Sequence, residues 1–360
     1  MGRWFDAHLD LAYLAACGRD IAAPLNPMTG PHPPAAVTLG SMRDAGVVGC
    51  LATIFVEPHP SVFAGGPTDN HPFIEGVSYL AGDAESAHGA GAAQLNTYSQ
   101  LASLGLIRVA RPDDRLQRQA GKAERAPWVG VLIEGADPIR SPGELTWWAA
   151  RGVVAVALAW WTASRYAGGN GTDEGLTPLG RELIKEIDRL GLVHDLSHLS
   201  QRSSDELLAL TGRPVIASHS NCRALLDGKT QRHLADPAIR EVARRGGVIG
   251  VVLHSGFIDK ACDKEGRAGV ARLCDHIDRI ADLHGHARAV GLGSDMDGGF
   301  SAERLPAGIN SHADLHVITD ELSRRGYKDV DIDAFAYGNW ARFWGLDDAT
   351  SNPRPGAVKV

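Results

Sequence analysis

Covalent bracing is scarce in this chain of 360 residues. Its five cysteines, Cys17, Cys50, Cys222, Cys262 and Cys274, are odd in number, scattered, and never spaced C-x-x-C. That pattern argues against a disulfide framework and against a structural zinc knuckle. No apolar run reaches the roughly 18 residues that a membrane-crossing helix needs. Basic charge is not in excess either: 36 Lys and Arg stand against 43 Asp and Glu, a formal charge of −7, so no nucleic-acid footprint is present. The opening Met1-Gly2-Arg3-Trp4-Phe5-Asp6-Ala7-His8 lacks a continuous apolar core and a small-residue cleavage site. No secretory leader is therefore expected, and cytoplasmic residence is the expectation. A break in composition is missing as well. One domain is expected over residues 1–346, followed by a loosely packed extension, 347–360, that carries Pro353 and Pro355.

What the chain does have is a repeated alternation. Eight short apolar runs read as strands: Trp4–Leu9, Val47–Val56, Trp128–Ile133, Val153–Ala159, Leu192–Leu196, Pro214–Ala217, Gly247–Leu253 and Ala289–Gly293. Most are continuous rather than alternating, as strands buried on both faces should be. Segments with helical spacing separate or follow them: Phe73–Leu104, Pro142–Arg151, Thr177–Leu190, Ser203–Leu210, Pro237–Arg245 with Asp236 placed to cap it, Ala268–His284, Ala313–Arg325 and Asp331–Trp344. Eight strand–helix units predict an α/β fold of the (β/α)8 TIM-barrel type. A doubly wound open sheet is the runner-up, but no Gly-rich phosphate loop follows the first strand. Gly168–Gly175 and Gly298–Gly308 are Gly/Pro-enriched loops placed where lids usually sit.

In such a barrel, functional side chains come from the C-terminal ends of strands. The first run ends His8-Leu9-Asp10, and strand residues two apart point to one face, so an imidazole and a carboxylate should converge. The third ends Ile133-Glu134-Gly135, where a glutamate is costly to bury unless a metal or an arginine such as Arg140 meets it. The fifth and sixth end His194-Asp195-Leu196-Ser197-His198 and Ser218-His219-Ser220, and the eighth runs on to Ser294-Asp295-Met296-Asp297. Imidazoles mixed with carboxylates suit zinc, with manganese or iron as alternatives. The donors are too many for one closed tetrahedral site. Two cations sharing a carboxylate is the simplest arrangement, and it is one that hydrolytic centres use.

These segments, together with Gly175-Leu176-Thr177-Pro178-Leu179-Gly180 and the closing Tyr337-Gly338-Asn339-Trp340-Ala341-Arg342-Phe343, resemble the renal (membrane) dipeptidase family of the amidohydrolase superfamily. The resemblance spans roughly residues 4–346 in matching order and spacing. It implies a barrel holding two zinc ions and hydrolysing dipeptides with a hydroxide held between them. His8 and Asp10 would bind one ion, His198 and His219 the other, and Glu134 both. It also selects His198 over His194, which spacing alone could not do. Asp295 would carry the proton from water to the leaving amine, and Arg232 would grip the substrate's C-terminal carboxylate, a pairing that guanidinium geometry favours. A homodimer is implied too.

One position departs from the family. Where the family carries a histidine after strand 4, Leu158-Ala159-Trp160-Trp161-Thr162 places Trp160, whose indole donates one hydrogen bond but cannot become cationic. His254, at the end of the seventh run, is a candidate replacement. Three readings follow. The first is a dinuclear dipeptidase, with a C-terminal D-residue as one substrate option. The second is a relative acting on another amide, an N-acyl amino acid, a lactam or an ester. The third is a non-catalytic metal-binding homologue, against which Asp295 argues.

Overall fold

The computed structural model describes residues 2–59, 73–110 and 126–346. Eight parallel strands organise it: β1 (Trp4–Leu9), β2 (Val47–Phe55), β3 (Trp128–Glu134), β4 (Val153–Ala157), β5 (Val193–Asp195), β6 (Val215–Ile216), β7 (Ile249–Val251) and β8 (Val290–Leu292). Neighbours pair in the order β7-β8-β1-β2-β3-β4-β5-β6. A parallel bridge between Ala217 and Ile249 joins β6 to β7, and Gly250 N–H donates to Ala217 O at 2.8 Å. The sheet thus curls into a nearly closed barrel, which removes the open-sheet alternative. All eight predicted runs are strands, with the later ones trimmed at both ends. A short strand, Arg108–Val109, lies beside β3, and Glu57–Pro58 pairs separately with Ser78–Tyr79.

Residues from successive strands (Phe5, Ala7, Leu51, Leu132, Ala155, Val193 and Ile216) meet in one apolar cluster with Trp340, Phe343 and Trp344 of the helix Asn339–Trp344, the last among the described residues. Side chains from so many strands can share a cluster only inside the barrel. Trp340 stacks on Phe5 at 5.8 Å and donates its indole N–H to Leu292 O at 3.0 Å. Gly291 makes room for it, since a Cβ there would lie 2.4 Å from the indole nitrogen. The larger core lies between barrel and helices.

Two helix expectations need correction. The segment Phe73–Leu104 is helical only over Ala84–Ser103. Asp83 accepts hydrogen bonds from Glu85 N and Ser86 N and starts the helix there, while Ser78–Tyr79 upstream is extended. Asp236 does not cap its helix. It is the first helical residue of Asp236–Arg244, behind Ala235, and its carboxylate receives Arg279 instead. The expected segment Thr177–Leu190 is helical from Pro178, with the Thr177 hydroxyl accepting from Gly180 N as its cap. The expected extension 347–360 falls outside the described residues.

Candidate active site

β1 delivers the first imidazole by breaking its own rhythm. Phe5 and Ala7 face the barrel interior, so strict alternation would turn His8 outward. The pairing of β1 with β2 shifts register between Asp6 and Leu9, and His8 reaches the interior at the strand's C-terminal end. Asp10 lies beyond the strand, at the N-cap of the helix Leu11–Ala16. Convergence of the two is therefore real, with His8 Nε2 3.7 Å from Asp10 Oδ1. Its cause is the bulge and the turn rather than the period of a regular strand.

Glu134 is the last residue of β3, buried, and its two oxygens face different partners. Oε2 is 3.2 Å from His8 Nε2. Oε1 is 3.2 Å from His198 Nε2 and 3.5 Å from His219 Nε2. The nitrogens of His198 and His219 stand 2.9 Å from each other. Arg140, the alternative partner for Glu134, pairs with Glu144 and Glu85 instead. Two groups of donors lie close enough to hold an ion: His8 with Glu134 and His219, and His8 with Asp10 and Asp295. His194 points elsewhere, to Asp188 at 2.8 Å.

The strained backbone collects here. His198, Asp295 and Asp297 have φ of 64°, 58° and 64°, and left-handed non-glycine residues are uncommon away from functional turns. Asp297 is fixed by Arg19 and by the amides of Ala36 and Val37. Gly298 is obligatory next to Asp295: a Cβ would lie 1.9 Å from Asp295 Oδ1 and 3.1 Å from Asp10 Oδ2.

Electrostatics follow from crowding opposite and like charges in a dry pocket. Burial opposes protonation of His8, but Glu134, Asp10 and Asp295 outweigh it and pull its pKa up to about 10. Burial favours the neutral acid in Glu134, yet His8 and His198 win and hold it well below the usual range. Burial and the charge of Glu134 push Asp10 up to about 6, and burial with the neighbouring carboxylates drives Asp295 well above its ordinary value. Burial and Arg232 pull His198 down to about 4.

A model of the membrane dipeptidase family, peptidase family M19, matches residues 3–355. The chain belongs to that family. A Klebsiella pneumoniae protein of the pqqA 5′ region is 30% identical over 219 residues, covering 58% of this chain and 78% of its own. Among solved structures, the probable dipeptidase PvdM from Pseudomonas aeruginosa superposes with a TM-score of 0.77 at 21% identity, covering 96% of this chain and 95% of its own. A Rhodobacter sphaeroides metallopeptidase, solved with a phosphinate mimic of L-Ala-D-Ala, gives 0.77 at 23% identity over 96% and 98%.

Arg232 of this M19 chain is buried beside His219. Its Nη1 donates to His219 O at 2.8 Å and to Ser220 Oγ at 3.3 Å, while Nε and Nη2 have no hydrogen-bond partner. Trp160 faces the cluster, its ring 6.0 Å from His198 and 5.0 Å from Phe55. His254 packs against Phe257 and Phe300, and Arg304 Nε lies 3.4 Å from its Nε2. Burial and Arg304 pull it down to about 4, so it is a neutral ring at physiological pH.

Two residues escaped the sequence reading. Asn170 Oδ1 sits 2.9 Å from His198 Nδ1, and Ser218 Oγ contacts both His8 Nδ1 (3.0 Å) and His219 Nδ1 (2.8 Å). Asn170 belongs to the expected lid loop, Gly168–Gly175. That loop is pinned, with Gly169 pressed against the carbonyls of Trp160, Trp161 and Thr162 and with Asn170 N–H donating to His198 O at 2.7 Å.

Proposed function

We propose that this chain is a dinuclear metallo-dipeptidase, with zinc as the resident ion and Mn2+ or Fe2+ as alternatives. One observation carries the reading: the two oxygens of Glu134 are turned to different imidazole sets, as a carboxylate shared by two cations must be. The donor chemistry fits as well. Every ligand imidazole has its Nδ1 occupied by an oxygen, leaving the Nε2 atoms of His8, His198 and His219 turned to Glu134. His8 and Asp10 would hold one ion, His198 and His219 the other, with Glu134 common to both. Bound there, the two ions supply Lewis acidity and lower the pKa of water enough for attack near neutral pH.

The chain's own groups do the rest. Asp295, whose carboxylate lies beside His8 and Asp10, would receive the proton of the attacking water and return it to the leaving amine. Arg232 offers two unspent nitrogens, Nε and Nη2, to the free carboxylate of a short peptide. The decisive experiment loads the protein with metal and assays L,L and L,D dipeptides, N-acyl amino acids and C-terminally amidated dipeptides. The L,D class belongs in the panel because the Rhodobacter neighbour holds a mimic of such a peptide. Hydrolysis of free dipeptides with amidated ones resistant is expected, and inactivity on all peptides would overturn the reading. Elemental analysis of Glu134→Ala should find both ions lost, or one ion lost together with most activity. Two ions still tightly bound would remove Glu134 from the shared position.

A second reading, another amide as substrate, is favoured by Trp160. Its ring stands 6.0 Å from that of His198, and the resemblance in sequence sets it against the family's histidine. The same panel separates the two, since N-acyl amino acids turning over faster than dipeptides would select the second.

A further inference from the structure

Ser218 is wholly buried at the end of β6 and holds three hydrogen-bond contacts with its single hydroxyl. They run to His8 Nδ1 at 3.0 Å, His219 Nδ1 at 2.8 Å and Ser197 Oγ at 3.3 Å. A hydroxyl has one proton to give and two lone pairs to receive. The count closes in one way if both imidazoles are to present bare Nε2 atoms to Glu134. His8 and His219 each donate an Nδ1–H to Ser218, and Ser218 donates its own proton to Ser197. Ser197 Oγ receives that proton and also the backbone N–H of His219 at 3.1 Å.

The hydroxyl has no freedom to wander. Asp195 Oδ1 receives the amides of both serines, Ser197 and Ser218, each at 2.9 Å. Gly250 and Gly293 let the flanking strands close on Ser218, since a Cβ on either would lie 2.0 or 1.8 Å from its carbonyl oxygen. On the reading above, His8 and His219 serve different ions, so one oxygen orients a ligand of each.

We propose that Ser218 is the shared positioning residue of the two metal positions, fixing the Nδ1–H tautomer of His8 and of His219 together. This rests on the dinuclear reading. Without the hydroxyl, two buried Nδ1–H groups lose their acceptor at once, and either ring gains by turning away from Glu134. Ser218→Ala should therefore weaken both positions rather than one.

The test strips metal from the loaded enzyme with graded chromophoric chelator and counts ions retained, beside a thermal melt that reports folding. Wild type should retain two ions. Ser218→Ala should lose about ten- to hundredfold in affinity at both positions. Ser197→Ala, which removes the acceptor of the Ser218 proton and of the His219 amide while leaving Ser218 Oγ in place, should show a smaller loss, again at both. Imidazole 1H–15N correlation spectra of the loaded wild type should place the ring proton of His8 and of His219 on Nδ1. Those spectra and Ser197→Ala decide the matter if Ser218→Ala does not fold. A folded Ser218→Ala with unchanged affinity, or a loss confined to one position, would overturn the proposal while leaving the dinuclear reading intact. An Nε2–H on either ring would overturn the proposal and also remove that ring from the ligand set. A wild-type enzyme retaining fewer than two ions would overturn both.

Discussion

Asp295 and Trp160 are the residues on which turnover should depend most sharply. Asp295→Asn keeps the size of the side chain but cannot accept a proton, so metal content and fold should survive while kcat falls by about 100- to 10,000-fold. A near wild-type rate on the best substrate would remove Asp295 from proton transfer. Trp160→His restores a donor where negative charge develops, and one such donor is worth about 3 kcal/mol. It should raise kcat for simple dipeptides; a wild-type enzyme already fast on them and damaged by the change would leave the indole as packing. At this scale the sequence was most legible for groups whose burial is costly alone. His8, Glu134, His219 and Asp295 each followed an apolar run, which made an ordinary role expensive, whereas only the family resemblance separated His198 from His194. Ser218 and Asn170 carried no such signal. A buried serine or a loop asparagine is cheap, and its meaning appears only when chain segments more than 20 residues away bring imidazoles against it.

Among the elements, the turn after β8 is the most exacting. Asp295 and Asp297 take left-handed backbone, Asp297 is anchored by Arg19 and two amides, and Gly298 gives the Asp295 carboxylate its space. Gly298→Ala is expected to displace that carboxylate and lower kcat at least tenfold, with melting temperature falling by only a few degrees, as about 1 kcal/mol of strain would dictate. Unchanged kcat would show that Asp295 has room it does not use. The strands were legible because parallel strands buried on both faces are plain apolar runs. The shift in β1 that turns His8 inward was not, because register is decided by β2 and not by β1's own residues. The helix Ala84–Ser103 starts later than expected because Phe73, Ile74, Val77 and Leu80 continue the helical spacing upstream of Asp83, the residue that caps it.

At the scale of the whole molecule, buried imidazoles tie stability to pH. The loop after β6 hangs on two of them: Asn221 N–H donates to His233 Nδ1 and Cys222 N–H to His276 Nδ1, both at 3.1 Å. A protonated ring could accept neither. Burial, reinforced by Arg272, pulls His276 down to about 4 from the 6.5 of an exposed ring. Its contribution is therefore fully present above pH 6.5 and is lost as pH falls toward 4, reaching about 3 kcal/mol at most. Urea unfolding of the loaded protein between pH 8 and 4.5 should show stability dropping on the acid side. His276→Leu should unfold at lower urea throughout, with a shallower pH slope; parallel slopes would exclude His276 as a titrating group. The barrel itself was readable from eight apolar runs, but its plug was not, since nothing local told Trp340 that its stacking partner would be Phe5. That pairing has a consequence in time. During synthesis the first strand leaves the ribosome long before the last helix exists. The lining of the barrel therefore waits, apolar and unfilled, until Trp340, Phe343 and Trp344 arrive. For this chain, the interval between first strand and last helix is the window in which a holding chaperone would matter.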